Sequence, residues 1–427
     1  MEKRDYPLLN EQVYWDVLPN GLQIAVIPRQ GFSKKVAYLA VDYGSIHREF
    51  TVDGKKVTAP MGVAHYLEHK LFDLPGRDVS AEFAAMGAMS NAFTSFDMTA
   101  YYFSCTEHFA DCLGLLLEFV TTPYFTDESV QKEQGIIGQE IEMDKDAPES
   151  AIFENLMKTM YRAHPVRESV LGTAESIAQI TPQVLYDCHR AFYRPDNMLL
   201  CVMADLEPAQ VRQIALEMTA HMPCPRVEAV QQWQEPELPA CQTVTGTMEV
   251  AMPMFQIGFR CEPLGMGEPA IYQEIVGDLA AEALFGESSA LYLRLYEEGW
   301  IDSSFGGGFE TIRGMAMVTV SGDSDVPEQV RDAILKQAEQ LVAHGIPETD
   351  FLRMKRSAMG RRIRGLDSFD STCFRVCAYH FSGFDYFRFP AVYQAVQAQD
   401  VCRFLQKTLT KQNCCMSVIY PKEDKVC

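Results

Sequence analysis

Apolar and polar positions alternate at the start of the chain. VYWDVL from Val13 and LQIAVIP from Leu22 flank Pro19-Asn20-Gly21. Two alternating runs joined at Asn-Gly predict a β-hairpin. VAYLAVDYGS from Val36 predicts a third strand. From Gly62 the period becomes helical, over Gly62 to Phe72, Val79 to Met86 and Phe109 to Val120. Between the last two, MSNAFTSFDMTAYYFSC is rich in Thr and aromatic residues and reads as a strand pair. A long helix is predicted from Asp127 to Asp146, with Thr126-Asp127 as N-cap and Pro148 just beyond its end. Another helix starts near Glu149, and Asn197-Met198 leads into the strand MLLCVMA.

The pattern then repeats. TAYYFSC, a helix and PYFTDESVQKEQGIIGQEIE fill Thr99 to Glu142; MAMVTVSGD, a helix and GIPETDFLRMKRSAMGRRIR fill Met315 to Arg364. MLLCVMA from Met198 has its counterpart in MSVIY from Met416. Between the halves, Met222 to Ala240 holds Pro223, Pro225, Pro236 and Pro239 and reads as a linker. The expectation is an α+β chain. It has an N-terminal domain at 1–222, a linker at 223–242 and a C-terminal repeat domain at 243–427.

Composition narrows the functions. The chain has 427 residues, 47% of them hydrophobic and 22% charged, enough for a sizeable core. The 37 Lys+Arg against 58 Asp+Glu leave a net charge of −21, the wrong sign for a nucleic-acid or anionic-membrane binder. No apolar run reaches the roughly 18 residues that span a bilayer. MEKRDYPLLN shows no signal-peptide pattern, and the 13 cysteines are an odd number. Both features fit reduced thiols in a cytoplasm.

The candidate chemistry lies in the first helix, at His65-Tyr66-Leu67-Glu68-His69. Two imidazoles at i and i+4 share a helical face and can hold one Zn²⁺, with a carboxylate beside them. Chance alone would produce this pattern in about 1–2% of chains with such His and Glu content, so the motif suggests zinc without deciding it. A catalytic zinc usually takes three protein ligands. The helix from Asp127 offers Glu133 and Glu140, seven residues apart on one face beside Ile136, Ile137 and Ile141. An inward carboxylate needs a partner, and a metal is one. Glu142, Asp144 and Asp146 read as a solvated acidic run. At an offset of 222, Glu140 falls on Arg362 and Glu133 on Lys355, so the second half keeps the helix and inverts its charge. Residues 101–150 hold 11 acidic and 2 basic side chains, whereas residues 351–400 hold 4 and 8. One half is therefore suited to a cation and the other is not.

These segments resemble the inverzincin zinc metallopeptidases, the family of insulin-degrading enzyme, pitrilysin and the mitochondrial processing peptidase. HYLEH matches the inverted HxxEH motif. KEQGIIGQEIEMDKDAP resembles the downstream Glu helix, NAFTSFDMTAYYFS the active-site edge strand and RPDNMLL the end of the first repeat. EHKLF and GIIGQEI are most similar to the short bacterial, YmfH-like members. The resemblance implies two homologous α/β-roll repeats, each a mainly antiparallel sheet of about six strands packed with helices, together forming one half of a clamshell. It implies a zinc-dependent endopeptidase with one Zn²⁺ per chain, acting on peptides or unfolded segments in an enclosed chamber. His65, His69 and Glu140 would bind the zinc. Glu68 would be the general base toward the attacking water, and Glu133 a carboxylate orienting a ligand. Asn91, Ala92 and Phe93 would receive an extended peptide through main-chain hydrogen bonds.

One stretch departs from the family. Where an Arg and, seven residues later, a Tyr bind substrate, this chain has Leu295 and Asp302. The departure points to the catalytic subunit of a two-chain enzyme, with a homologous subunit supplying the Arg/Tyr pair, or else to a homodimer using other polar groups. Two other functions compete. One is a non-catalytic structural or chaperone-like subunit of the same fold. The other is a zinc hydrolase of non-peptide amides. The remaining histidines lack ligand spacing. Cys373 and Cys377 read as core thiols, and Gly306-Gly307-Gly308 as a strand connection.

Overall fold

A computed structural model describes residues 1–228 and 233–422 of the chain. The proline-rich linker segment thus lies partly outside the described residues. The chain forms two compact units. The first comprises Met1–Ile141, Ser169–Gln231 and Ile363–Arg388; the second comprises Glu142–Glu168, Gln232–Arg362 and Phe389–Cys427.

The first unit is built on a seven-stranded sheet. Its strands are β1 (Glu2–Tyr6), β2 (Glu11–Val17), β3 (Gln23–Pro28), β4 (Lys35–Val41), β5 (Met89–Thr94), β6 (Thr99–Cys105) and β7 (Met198–Ala204). Their order is β1-β2-β3-β7-β4-β6-β5. The Asn-Gly turn closes the β2–β3 hairpin as predicted, with Trp15 opposite Ala25. Strand β7 is parallel to β3 and antiparallel to β4. It is buried at every position, which is why MLLCVMA is apolar throughout instead of alternating. Strand β1 was not evident in the hydrophobic pattern, because its charged residues lie along an exposed edge. A small three-stranded sheet of Val227–Glu228, Glu49–Val52 and Lys55–Thr58 lies in the same unit.

The second unit repeats this plan with five strands: β8 (Thr243–Met248), β9 (Met254–Cys261), β10 (Gly306–Ile312), β11 (Met315–Asp323) and β12 (Cys414–Pro421). Their order, β8-β12-β9-β11-β10, matches β3-β7-β4-β6-β5 strand for strand. The one parallel pair, β8 with β12, falls where β3 pairs with β7. A shared order with a shared parallel pair is the mark of one fold used twice.

Six helices matter below. They are α1 (Val63–Leu71), α2 (Asp127–Lys145), α3 (Pro148–Met160), α4 (Glu268–Phe285), α5 (Glu348–Arg364) and α6 (Phe369–Phe381). Each sheet is covered by a helix from the other half of the sequence. Helix α3 packs on β9 and β12 in the second unit, while α6 packs on β4 and β7 in the first. Among the described residues no helix is long and apolar enough to cross a membrane.

Candidate active site

Helix α1 is buried on nearly all sides. Val63, Ala64, Tyr66, Leu67 and Leu71 enter the first unit's core, and His65, Glu68 and Lys70 are buried with them. It starts at Gly62, whose φ of 83° lies in the left-handed region. A Cβ there would also collide with the Leu171 carbonyl, so only glycine admits this helix start. Helix α2 is capped as predicted. Thr126 Oγ1 accepts the Ser129 N–H at 3.1 Å, and Ser129 Oγ accepts the Thr126 N–H at 3.3 Å. Tyr66 ties the two helices by donating its hydroxyl to the Val130 carbonyl. Val130, Ile137 and Ile141 form the buried face of α2. Ile136, expected among them, is instead 47% exposed, because it sits a quarter-turn away from Ile137.

The two helices bring three ligand-type side chains together. One ligand atom from each of His65, His69 and Glu140 lies within 4.8 Å of the others. Glu140 Oε2 is 3.7 Å from His65 Nε2 and 3.8 Å from His69 Nε2. These separations are too long for hydrogen bonds. They lie near the edge, about 3.4 Å, of a tetrahedron with ligands about 2.1 Å from a zinc ion. Two imidazoles and one carboxylate form the donor set of a zinc site with room for a further ligand. The residues present therefore fit the metal.

The surroundings treat the two imidazoles differently. His65 is buried, and that burial, with the charge of His69, lowers its pKa to about 4, which keeps it neutral as a ligand must be. Burial also disfavours charge on His69. There, the hydrogen bond to Glu133 and the Glu68, Glu133 and Glu140 carboxylates prevail and raise its pKa. Glu133 Oε1 lies 3.0 Å from His69 Nδ1. With Nδ1 donating to that carboxylate, Nε2 is left as an electron-pair donor turned toward Glu140. Burial of Glu133 favours its neutral form, but the His69 hydrogen bond and the charges of His69, Lys70 and Lys132 outweigh this and hold the carboxyl below its ordinary range.

Glu68 lies on α1 between the two histidines and is buried, which raises its pKa against the opposing effects of Thr94 and His69. Thr94 Oγ1 donates to Glu68 Oε2 at 2.7 Å. Thr94 ends β5, the strand that carries Asn91, Ala92 and Phe93. Strand β5 pairs only with β6 and forms the sheet edge. Asn91 Oδ1 accepts the Ala92 N–H at 2.9 Å. Thr94 and Lys70 were not singled out in the sequence. Thr94 shares its strand parity with Ala92, and Lys70 is a charged residue within a buried helix; those were the available signals.

In the second unit, Arg362 on α5 stands where the repeat places the counterpart of Glu140. Its Nη2 reaches Glu274 Oε1 at 3.1 Å and Asp278 Oδ2 at 3.7 Å. Glu274 and Asp278 are spaced i, i+4 on α4, as His65 and His69 are on α1. Leu295 is fully buried, and Asp302 accepts the Ser304 hydroxyl at 2.6 Å.

Comparison with known proteins identifies a family. Residues 38–174 match the family described as insulinase (peptidase family M16), and residues 179–358 match the peptidase M16 inactive domain. The chain is 34% identical to the uncharacterized zinc protease YmfH of Bacillus subtilis, over 98% of this chain and 99% of that protein. It is 25% identical to the mitochondrial-processing peptidase subunit beta of Saccharomyces cerevisiae, over 82% of this chain and 78% of that protein. The crystal structure of an M16-like peptidase from Alicyclobacillus acidocaldarius superposes with a TM-score of 0.92 at 32% identity, covering 96% of this chain and 99% of that one. Pitrilysin shares the fold at a TM-score of 0.78 and 18% identity, with 98% of this chain matching 46% of that one. The chain belongs to the M16, or insulinase, family of peptidases.

Proposed function

We propose that this chain is a zinc-dependent endopeptidase that cleaves peptides or unfolded segments, and that it is the metal-bearing subunit of a two-chain enzyme. The observation that carries this reading is the convergence of His65, His69 and Glu140 beside a buried carboxylate and a free sheet edge. In such a site zinc supplies Lewis-acid activation of water and of the scissile carbonyl. The chain's own residues do the rest. Glu68 holds Oε2 on the Thr94 hydroxyl, so Oε1 accepts the proton of the attacking water and passes it to the leaving amine. An extended peptide adds to the outer edge of β5, where Asn91, Ala92 and Phe93 offer backbone donors and acceptors. Asn91 Oδ1, which caps the Ala92 N–H in the free chain, gives way to a substrate carbonyl.

Leu295 and Asp302 support the two-chain part of the proposal. A buried leucine and an aspartate engaged with Ser304 cannot grip a peptide as an Arg/Tyr pair would. A homologous subunit then supplies that pair. Twelve free thiols among the described residues support a reducing compartment such as the cytoplasm.

Zinc analysis and cleavage of a quenched fluorescent peptide, for wild type and Glu68→Gln, test the proposal. Both are run with and without a homologous partner chain. Equal zinc in the two proteins is expected, with cleavage lowered about 10²–10⁴-fold in Glu68→Gln. Undiminished cleavage by Glu68→Gln would remove Glu68 as the base. Full activity of the zinc-loaded chain alone would remove the partner.

A further inference from the structure

We infer that Lys70 is a positioning residue for the ligand His69, acting through Glu133. This rests on the zinc-site reading above and goes one residue deeper into it. Lys70 follows His69 on α1, and its side chain is 1% exposed. A buried ammonium is strongly disfavoured unless paired, so its neighbours define its purpose. It has two carboxylate partners. One is Asp73, which takes a hydrogen bond from Nζ. The other is Glu133, whose Oε2 lies 3.7 Å from Nζ.

Helical spacing accounts for Asp73, three residues on, but not for the burial. The Asp73 side chain is 51% exposed, and a lysine paired only with it could stay at the surface. The Glu133 side chain is 13% exposed. Its two oxygens face different partners: Oε1 is on His69 Nδ1 at 3.0 Å, and Oε2 is toward the Lys70 ammonium. A carboxylate held at one oxygen can still swing about its terminal torsion, which is broad for Glu. A charge at the second oxygen fixes the plane of the group. With that plane fixed, the His69 ring stays turned so that Nε2 meets Glu140. Asp73, Lys70, Glu133 and His69 thus form one chain of contacts that ends on the metal ligand. His65 has no such support: its Nδ1 is buried with no hydrogen-bond partner among the described residues. The load of orientation therefore falls on the His69 side.

Competitive zinc titration against a chromophoric chelator, at fixed pH on the full chain, tests the role of Lys70. The proteins are wild type, Lys70→Met, Glu133→Gln and the double variant, each checked for folding by its metal-free melting curve. Glu133→Gln is expected to weaken zinc binding about 10–100-fold, and Lys70→Met about 10-fold. The double variant is expected to be no weaker than Glu133→Gln, because Lys70 works only through that carboxylate. Lys70→Arg, which keeps the charge, is expected to stay within about 3-fold of wild type, and it carries the test if Lys70→Met does not fold. Wild-type affinity in folded Lys70→Met would overturn the inference while leaving the zinc site intact. So would a loss that adds in full to that of Glu133→Gln. A wild-type chain that does not bind zinc would instead defeat the site reading itself.

Discussion

Replacing Arg362 with Met tests how much the second unit depends on the cation that stands opposite Glu274 and Asp278. The Arg362 side chain is 8% exposed, Glu274 13% and Asp278 34%. The guanidinium also lies 5.8 Å from the Phe389 ring centre and 5.6 Å from that of Tyr393. Removing one partner of a buried ion pair costs about 3–5 kcal/mol. The exposure of Asp278 argues for the low end, so about 3 kcal/mol is expected. For a unit of about 200 residues this corresponds to a fall in Tm of about 6–12 °C. Calorimetry of the metal-free chain reads this as a shift in the transition of the second unit. Adding Glu274→Met should recover much of the loss, because removing both charges also removes the desolvation penalty of the one left behind. A Tm within about 1 °C of wild type for Arg362→Met, or a double variant worse than either single, would refute this account.

Two further outcomes are expected. His189 is buried with Nε2–H donating to the Val120 carbonyl at 2.9 Å, and burial lowers its pKa to about 4. The unfolded chain, with a His pKa of about 6.5, binds more protons between these values, so stability is full above about pH 6.5 and falls as pH drops toward 4. The His189 share of the loss is about 3 kcal/mol; the stability difference between pH 7 and pH 4.5, read from urea midpoints, should shrink by about that amount in His189→Gln, while His65 keeps its own share. Ala92→Pro on β5 removes one outward N–H while leaving the edge strand compatible with its neighbours. Peptide cleavage should fall at least about tenfold with zinc content and Tm unchanged; an unaffected rate would exclude β5 as the docking edge.

The site was legible where it is local. His65, Glu68 and His69 are one helical turn, and the spacing of Glu133 and Glu140 follows from the same periodicity. The hairpin and the all-apolar central strand followed from alternation and its absence. What escaped needs the third dimension. Thr94 reaches Glu68 only because β5 runs beside α1, and no spacing along the chain encodes that contact. Lys70 looks like any lysine until the burial of α1 is known. The reading of Ile136 failed because seven-residue spacing identifies a face but not its width. The exchange of α3 and α6 between the sheets joins segments more than 90 residues apart, which no local signal records.

The two halves solve one electrostatic problem in opposite ways. Each sets an i, i+4 pair on one helix against a single side chain from a second helix. In the first unit the pair is two imidazoles and the third group is a carboxylate, so the cluster carries one negative charge at most and its lone pairs converge. Such a set is completed by a divalent cation. In the second unit the pair is two carboxylates and the third group is a guanidinium, which donates to Glu274 and sets its charge beside Asp278. The cation there is covalently part of the chain. Differences at all three positions thus separate a cluster whose lone pairs suit a metal from one that carries its own cation. The candidate metal site lies in one unit, while the other keeps the fold, the edge strand β10 and its own internal counter-charge.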